Sequence, residues 1–259
     1  VDLTPDPSGR IRVAHSGDTA RVFIDNARKA NALGSALLDA LRVAFESLAA
    51  DPPRAVVLSG AGERAFAGGA DLAELGSLNV DSARVFITKV HEACDAVRRC
   101  PAPVIARLRG AALGAGLELA ASCDIRVASE DATFGMPEVR FGIPSVVEAA
   151  LLPRLVGRGR AAWFLLTGRS IGARAALEWG LVERVVPAGE LDAEIEATVA
   201  AIRQMDPAAV REQKRLLAFW DEQPLAAGIA ESIESLAGSY RGDVPNRLIG
   251  EYLASRQKR

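Results

Sequence analysis

Histidine, cysteine and tyrosine are scarce in this 259-residue chain, and its charges nearly cancel. There are two histidines, three cysteines and two tyrosines, with 31 basic side chains against 33 acidic ones. Neither His15 nor His91 has a His or Cys at ligand spacing, which argues against a zinc centre. A histidine-based triad would need one of these two, and both read as residues on a strand or helix surface. Cys94, Cys100 and Cys123 are odd in number and lack Cys-x-x-Cys spacing, so they read as reduced thiols in a cytoplasmic protein. A net charge of −2 gives no electrostatic footprint for nucleic acid. No apolar run reaches the roughly 18 uncharged residues of a membrane-crossing helix. The opening residues, Val1-Asp-Leu-Thr-Pro-Asp-Pro7, have no basic segment followed by an apolar one and do not read as a signal peptide. Gly-x-Ser-x-Gly and Walker A sequences are missing too. Gly157-Arg-Gly-Arg-Ala-Ala162 touches a dinucleotide pattern but follows an apparent helix instead of a strand.

What remains is an α/β chain of ordinary composition, 49 % hydrophobic and 25 % charged. Short β-rich runs at 19–24, 55–59, 104–108, 124–128 and 182–186 alternate with helical patterns. Leu37, Leu38, Leu41, Phe45 and Leu48 mark one apolar helix face, and Val85, Val90, Cys94 and Val97 a second. Strand–helix–strand alternation predicts parallel pairing through right-handed crossovers. A further helix, 172–179, stops at Gly180. Beyond Gly189 only helices are expected, at 191–204, 206–220, 224–240 and 244–257, with Pro207 and Pro224 at helix starts. The division is therefore 1–190 for the core and its site, and 191–259 for a helical region too thin to form a good core alone. That region should pack on the α/β part or on another subunit.

Two acids lie in the most apolar third of the chain. Glu118 interrupts Gly110-Ala-Ala-Leu-Gly-Ala-Gly-Leu-Glu-Leu-Ala-Ala121, and Glu138 closes Thr133-Phe-Gly-Met-Pro-Glu138. Burying an unpaired carboxylate costs several kcal/mol or forces it to hold a proton. Two such groups in one pocket would make a proton donor and a proton acceptor. Gly114 precedes the short helix that carries Glu118, where unpaired N–H groups and partial positive charge suit an anion such as the enolate oxygen of a thioester. Ala65-Phe-Ala-Gly-Gly-Ala-Asp-Leu72 leaves its backbone uncovered in the same way, and Asp71 can cap the helix that follows. Taken singly, each of these segments also fits an ordinary tight connection.

Together they resemble the enoyl-CoA hydratase/isomerase (crotonase) superfamily. The matching runs are Asn31-Ala-Leu33, Ala65 to Leu72, Pro103-Val-Ile-Ala106, Gly110 to Asp124, Phe134-Gly-Met-Pro-Glu138, Leu152-Pro-Arg-Leu-Val-Gly157, Leu166-Thr-Gly168 and Ala176-x-x-x-Gly180-Leu-Val182. They occur in family order over roughly 11–190. The resemblance implies a spiral of ββα units with a C-terminal helical region used in trimer contacts, and a homotrimer or dimer of trimers. It also implies an acyl-CoA thioester as ligand, with no separate cofactor and no metal. By position, the N–H groups of Ala70 and Ala115 would grip the thioester carbonyl. Gly68, Asp71, Leu72, Ala73 and Gly114 would line the ligand, and Arg28 would lie near the CoA nucleotide. Ala73 stands where a lysine is common.

Glu118 and Glu138 occupy both hydratase acid/base positions, so the resemblance implies syn addition of water to a 2-enoyl-CoA. Glu118 would activate the water and Glu138 would supply the Cα proton. Two other readings stand beside it: a Δ3-Δ2-enoyl-CoA isomerase or other enolate chemistry, and a non-catalytic binding protein of this fold, including one that binds RNA. After Glu138 the chain departs from the glycine-rich pattern of hydratases. It reads Gly142-Ile-Pro-Ser-Val-Val-Glu148, which places Ser145 and Glu148 where small residues are usual.

Overall fold

The structure is a computed structural model that describes residues 9–257. The opening residues considered above for a signal peptide lie outside that range, apart from which every predicted element is accounted for. Two sheets carry the fold. The larger runs β1 (Arg10–Ser16), β2 (Thr19–Asp25), β3 (Ala55–Gly60), β5 (Val104–Leu108), β7 (Ile125–Ser129) and β10 (Arg184–Val186) in that spatial order. The smaller runs β4 (Ala65–Ala67), β6 (Ala111–Leu113), β8 (Thr133–Gly135) and β9 (Ser170–Gly172). Three strands of the large sheet are each followed within a few residues by a short one in the other sheet: β3 by β4, β5 by β6, β7 by β8. A helix then returns the chain to the first sheet, so the path is a repeated ββα turn.

Pairing is parallel from β2 through β10 in the large sheet and from β4 through β8 in the small one. The exceptions are the two edges. β1 pairs antiparallel with β2, and β9 antiparallel with β8. Sequence patterning passes over β1 because Arg-Ile-Arg-Val-Ala-His-Ser carries polar residues along a largely uncovered edge strand. It passes over β4, β6, β8 and β9 because three residues are too few to show a period.

Helix α1 (Ser35–Ala50) buries Leu37, Leu38, Leu41, Phe45 and Leu48, the predicted face. Short α2 (Leu72–Leu75) follows, then α3 (Val80–Arg99). On α3 the buried set is Phe86, Val90, Ala93, Cys94 and Val97, so Val85, expected inside, points to solvent and Phe86 takes its place. Both residues are apolar neighbours, and only packing against α1 selects between them. The remaining helices of the first unit are α4 (Ala115–Ala121), α5 (Leu152–Val156), α6 (Arg158–Thr167), α7 (Ala173–Trp179) and α8 (Leu191–Arg203). Gly157 lies between two helices, in keeping with the dismissal of a dinucleotide fingerprint. Asn31 is buried and bridges the loop after β2 to the β3–β4 connection. Its amide donates to Ala61 O at 3.0 Å and Ala65 O at 2.7 Å, while its Oδ1 accepts from Asn26 N at 3.0 Å.

The large sheet is covered on both faces, as a mostly parallel sheet requires. Val56, Leu58, Val104, Ala106 and Leu108 join the main core, together with residues of α1 and α3. Ala55, Val57, Ile105 and Val127 face the other way and pack with Leu191, Ile195 and Val199 of α8. Helix α8 therefore belongs with the sheet, and the described residues divide into two compact units after Gln204, not at 190. The second unit holds α9 (Pro207–Glu222), α10 (Leu225–Ser239) and α11 (Val244–Gln257). Within it, Trp220 Nε1 donates to Ser232 Oγ at 3.1 Å. Leu225, Ile229, Ile233 and Leu236 form an exposed stripe on α10. No helix among the described residues is long and apolar enough to cross a membrane.

Candidate active site

Three parallel strands of the small sheet end along one edge. β4 pairs with β6 and β6 with β8, so the segments leaving their C-terminal ends emerge side by side. Those segments are 68–71, 114–118 and 136–138. Ligands of α/β proteins commonly bind outside the carboxyl ends of parallel strands. Here that edge gathers Ala70, Ala115, Glu118 and Glu138 from stretches of chain nearly seventy residues apart.

Two backbone donors face this edge. Leu33 forms an isolated parallel bridge with Ala70: its N–H donates to Gly69 O at 2.8 Å, and its carbonyl accepts from Asp71 N at 3.0 Å. A parallel bridge uses the groups on either side of Ala70 and turns Ala70's own N–H the opposite way. Ala115 opens α4, where the first N–H groups have no partner inside the helix. Neither the Ala70 nor the Ala115 N–H meets an acceptor among the described residues. Gly114, just before α4, has φ +49 and ψ −125 and donates its N–H to Gly135 O at 2.8 Å, which ties the turn to β8. Gly116 lets α4 lie directly on β4: a Cβ there would run into the Ala67 carbonyl.

Glu118 sits on the first turn of α4 and is 5 % exposed. Its Oε1 accepts the Ala149 N–H at 3.1 Å. Burial raises its pKa to about 8; the nearby carboxylates of Glu138 and Glu148 push the same way, against the Ala149 donor. At pH 7 such a group holds its proton in roughly nine molecules of ten. Glu138 starts a 3₁₀ turn, Glu138–Phe141, and is half-buried. Its Oε1 lies against Gly114 in the space a side chain would fill. Its Oε2 accepts from Ser145 Oγ at 2.7 Å. The two carboxyls thus converge across Gly114. The Glu138 charge adds to burial in favouring the protonated form of Glu118.

The other expected residues are spread around this edge. Gly68 donates its N–H to Ala30 O at 2.8 Å. The Asp71 carboxylate caps α2 through Ala73 N at 2.9 Å and Glu74 N at 3.3 Å, and takes Lys29 Nζ at 2.7 Å. The Lys29 bond, against burial and with help from the cap, holds that carboxyl below the usual range. Asp71 is therefore committed to the scaffold, and its contribution to a ligand is backbone only. Leu72 and Ala73 are exposed on α2, and Arg28 is exposed with no acidic partner among the described residues. Lys29 escaped sequence reasoning, although its place beside Arg28 was a usable signal.

Ser145 and Glu148 were expected near the acyl pocket without a role, whereas Ala149 and the Glu148–His91 contact were not predicted as parts of the site. Glu148 is 4 % exposed, and its Oε1 lies 2.8 Å from His91 Nδ1. His91 is exposed on α3, the helix surface expected for it, and also holds a buried acid. The three cysteines are buried, and none is in a disulfide. Among the described residues no cluster of three or more His, Cys, Asp or Glu is placed to hold a metal.

The Enoyl-CoA hydratase/isomerase family model matches residues 16–236. YngF of Bacillus subtilis, an enoyl-CoA hydratase/isomerase by name, is 38% identical over 230 residues, 88% of this chain and 87% of that protein. The short-chain-enoyl-CoA hydratase of Clostridium acetobutylicum is 37% identical over 203 residues, 78% of each chain. The crystal structure of an enoyl-CoA hydratase from Bacillus anthracis superposes with a TM-score of 0.89 at 34% identity, covering 96% of this chain and 97% of that one. With the ββα spiral and the matched stretch extending over most of the sequence, the chain belongs to the enoyl-CoA hydratase/isomerase (crotonase) family.

Proposed function

We propose that the protein is an enoyl-CoA hydratase that adds water, syn, across a 2-enoyl-CoA thioester to give a 3-hydroxyacyl-CoA. The observation that carries this reading is the convergence of Glu118 and Glu138 beside two unpaired backbone N–H groups. The Ala70 and Ala115 donors polarise the thioester carbonyl, draw electron density from the C=C bond, and stabilise the enolate oxygen once Cβ is attacked. One carboxyl takes a proton from water as its oxygen bonds to Cβ, and the other delivers a proton to Cα. That requires one proton on the pair, and a buried Glu118 that keeps its proton beside Glu138 is such a state.

The expected division, Glu118 for water and Glu138 for Cα, then needs the proton to cross to Glu138 once thioester is bound. Two carboxyls converging on one site allow that transfer. Gly68, the Asp71 backbone, Leu72, Ala73 and Gly114 line the acyl thioester, and the exposed Arg28 reaches the CoA phosphates. Lys29, already paired with Asp71, adds positive charge at the same mouth. CoA enters as part of the substrate, so the chemistry needs no further cofactor. The exposed stripe Leu225, Ile229, Ile233 and Leu236 supports a homotrimer or a dimer of trimers, in which that apolar face would be covered.

The test compares crotonyl-CoA with a 3-enoyl-CoA on the wild type and on Glu138→Gln. Expected are rapid hydration of the 2-enoyl thioester and a loss of about 10²-fold or more in the variant, with thioester binding retained. Rapid isomerisation of the 3-enoyl thioester with negligible hydration would move the assignment to an isomerase. Hydration unchanged in Glu138→Gln would rule out the carboxyl pair.

A further inference from the structure

The stretch 145–149 touches both members of the carboxyl pair. Ser145 Oγ donates to Glu138 Oε2 at 2.7 Å, and four residues on the Ala149 N–H donates to Glu118 Oε1 at 3.1 Å. Between them Val147 has φ +44. A β-branched residue in the left-handed region is a genuine outlier, which persists only where surrounding structure over-determines it. The residue that ties this segment down is Glu148. Its carboxyl is buried, with Oε1 on His91 of α3 and Oε2 left without any hydrogen-bond partner. The 3₁₀ turn Val147–Leu151 packs against both α3 and α4.

A buried carboxyl with one oxygen unsatisfied is a poor way to gain stability. We propose that residues 145–149 clamp the Glu118–Glu138 pair and that the His91–Glu148 bond is the latch holding the clamp in place. Ser145, Glu148 and His91 are then positioning residues, and the proposal rests on the carboxyl pair being the reactive centre. Ser145 fixes one oxygen of Glu138 while Gly114 makes room for the other, so that carboxyl is aimed. The Ala149 donor fixes Glu118 one helical turn along α4. Their separation follows from four residues of chain whose strained centre would relax if Glu148 let go.

The latch is reachable from solvent. His91 is half-exposed and, with Arg98, Val147, Glu148, Ala150 and Leu151, lines an open depression of about 420 Å³. The charged or titratable groups around Glu148 are His91, Asp95 and Arg98 on α3 and Glu118 on α4; the buried Cys94 thiol feels both acids. Burial pushes the Glu148 pKa upward, and His91 and Arg98 oppose that push.

The test reads Glu118 directly, by ¹³C NMR of protein labelled at glutamate carboxyls, with the Glu118 signal assigned by its loss in Glu118→Gln. In wild type the midpoint should lie at about 8. His91→Ala frees the clamp and with it the Ala149 N–H, and loss of that donor disfavours an ionised Glu118 by more than any proton uptake at Glu148 relieves it. The expected result is an upward shift of about half a unit or more, restored by His91→Gln, which can still donate. In the hydration assay His91→Ala should lose about tenfold in kcat with KM within about twofold, again recovered by Gln. A midpoint and kcat unchanged in both His91→Ala and Glu148→Ala, with the proteins folded by circular dichroism, would overturn the latch. Should His91→Ala not fold, His91→Leu, which cannot donate, carries the same readings. The NMR midpoint needs no turnover, so a wild type that hydrates nothing would refute the hydratase reading and still leave the latch decided by its own signal.

Discussion

Replacing Glu118 by Gln makes the stability of the protein less dependent on pH, and the size of the change follows from the site. The folded protein holds the Glu118 proton up to about 8, against an ordinary value of 4.5. A carboxyl raised in this way contributes stability that is complete below the unfolded value and is lost as pH climbs toward the folded one. Between those values the unfolded chain has released its proton while the native chain retains it. Stability therefore falls with rising pH. From pH 5 to pH 9 the integrated loss is about 4 kcal/mol, a large share of a typical folding free energy. The glutamine amide does not titrate, so it adds only a constant offset. Unfolding in urea, measured at one protein concentration from pH 5 to 9, should show the variant gaining steadily on wild type up to pH 8 and then levelling off. A difference that stays flat within about 0.5 kcal/mol over that range would mean that Glu118 ionises in the folded protein at its ordinary pH. The one-proton pair, and the chemistry built on it, would then fail.

Activity should carry the same signature. If the singly protonated pair is the working form, kcat/KM for crotonyl-CoA stays level near neutrality and falls about fivefold between pH 8 and 9. A rate that climbs through that interval would show that ionised Glu118 is needed from the start. Gly114→Ala should displace Glu138, because the new methyl enters the space its Oε1 occupies and the backbone there is left-handed. A loss of about 10²-fold in kcat is expected, with about 1–2 kcal/mol of stability. Unaltered kcat would contradict the contact. Ile195→Ala should cost about 2–4 kcal/mol in thermal or chemical unfolding, because α8 closes one face of the sheet. A cost below about 1 kcal/mol would return α8 to the helical tail.

Much of the fold was legible from local rules. The long parallel strands and the α1 face follow from periodicity, and the Asp71 cap follows from a short polar side chain at a helix start. The three-residue strands were not legible, since they are held by neighbours in a sheet and not by any pattern of their own. Val85 against Phe86 and the placement of α8 were likewise undetermined, because adjacent apolar residues and an amphipathic helix can satisfy more than one packing.

By itself the sequence determined that two acids lie in apolar, glycine-rich surroundings and that the chain alternates strand and helix. Tertiary structure alone decided that those acids meet. Glu118 and Glu138 are brought together by the shared register of β4, β6 and β8, a long-range pairing that no spacing along the chain encodes. It also decided the charge of Glu118, since a carboxyl's proton depends on how much water and how many neighbours surround it in three dimensions. Ser145, Ala149, Glu148 and His91 joined the site for the same reason: each acts through a contact with a distant segment, and such contacts exist only once the chain is folded.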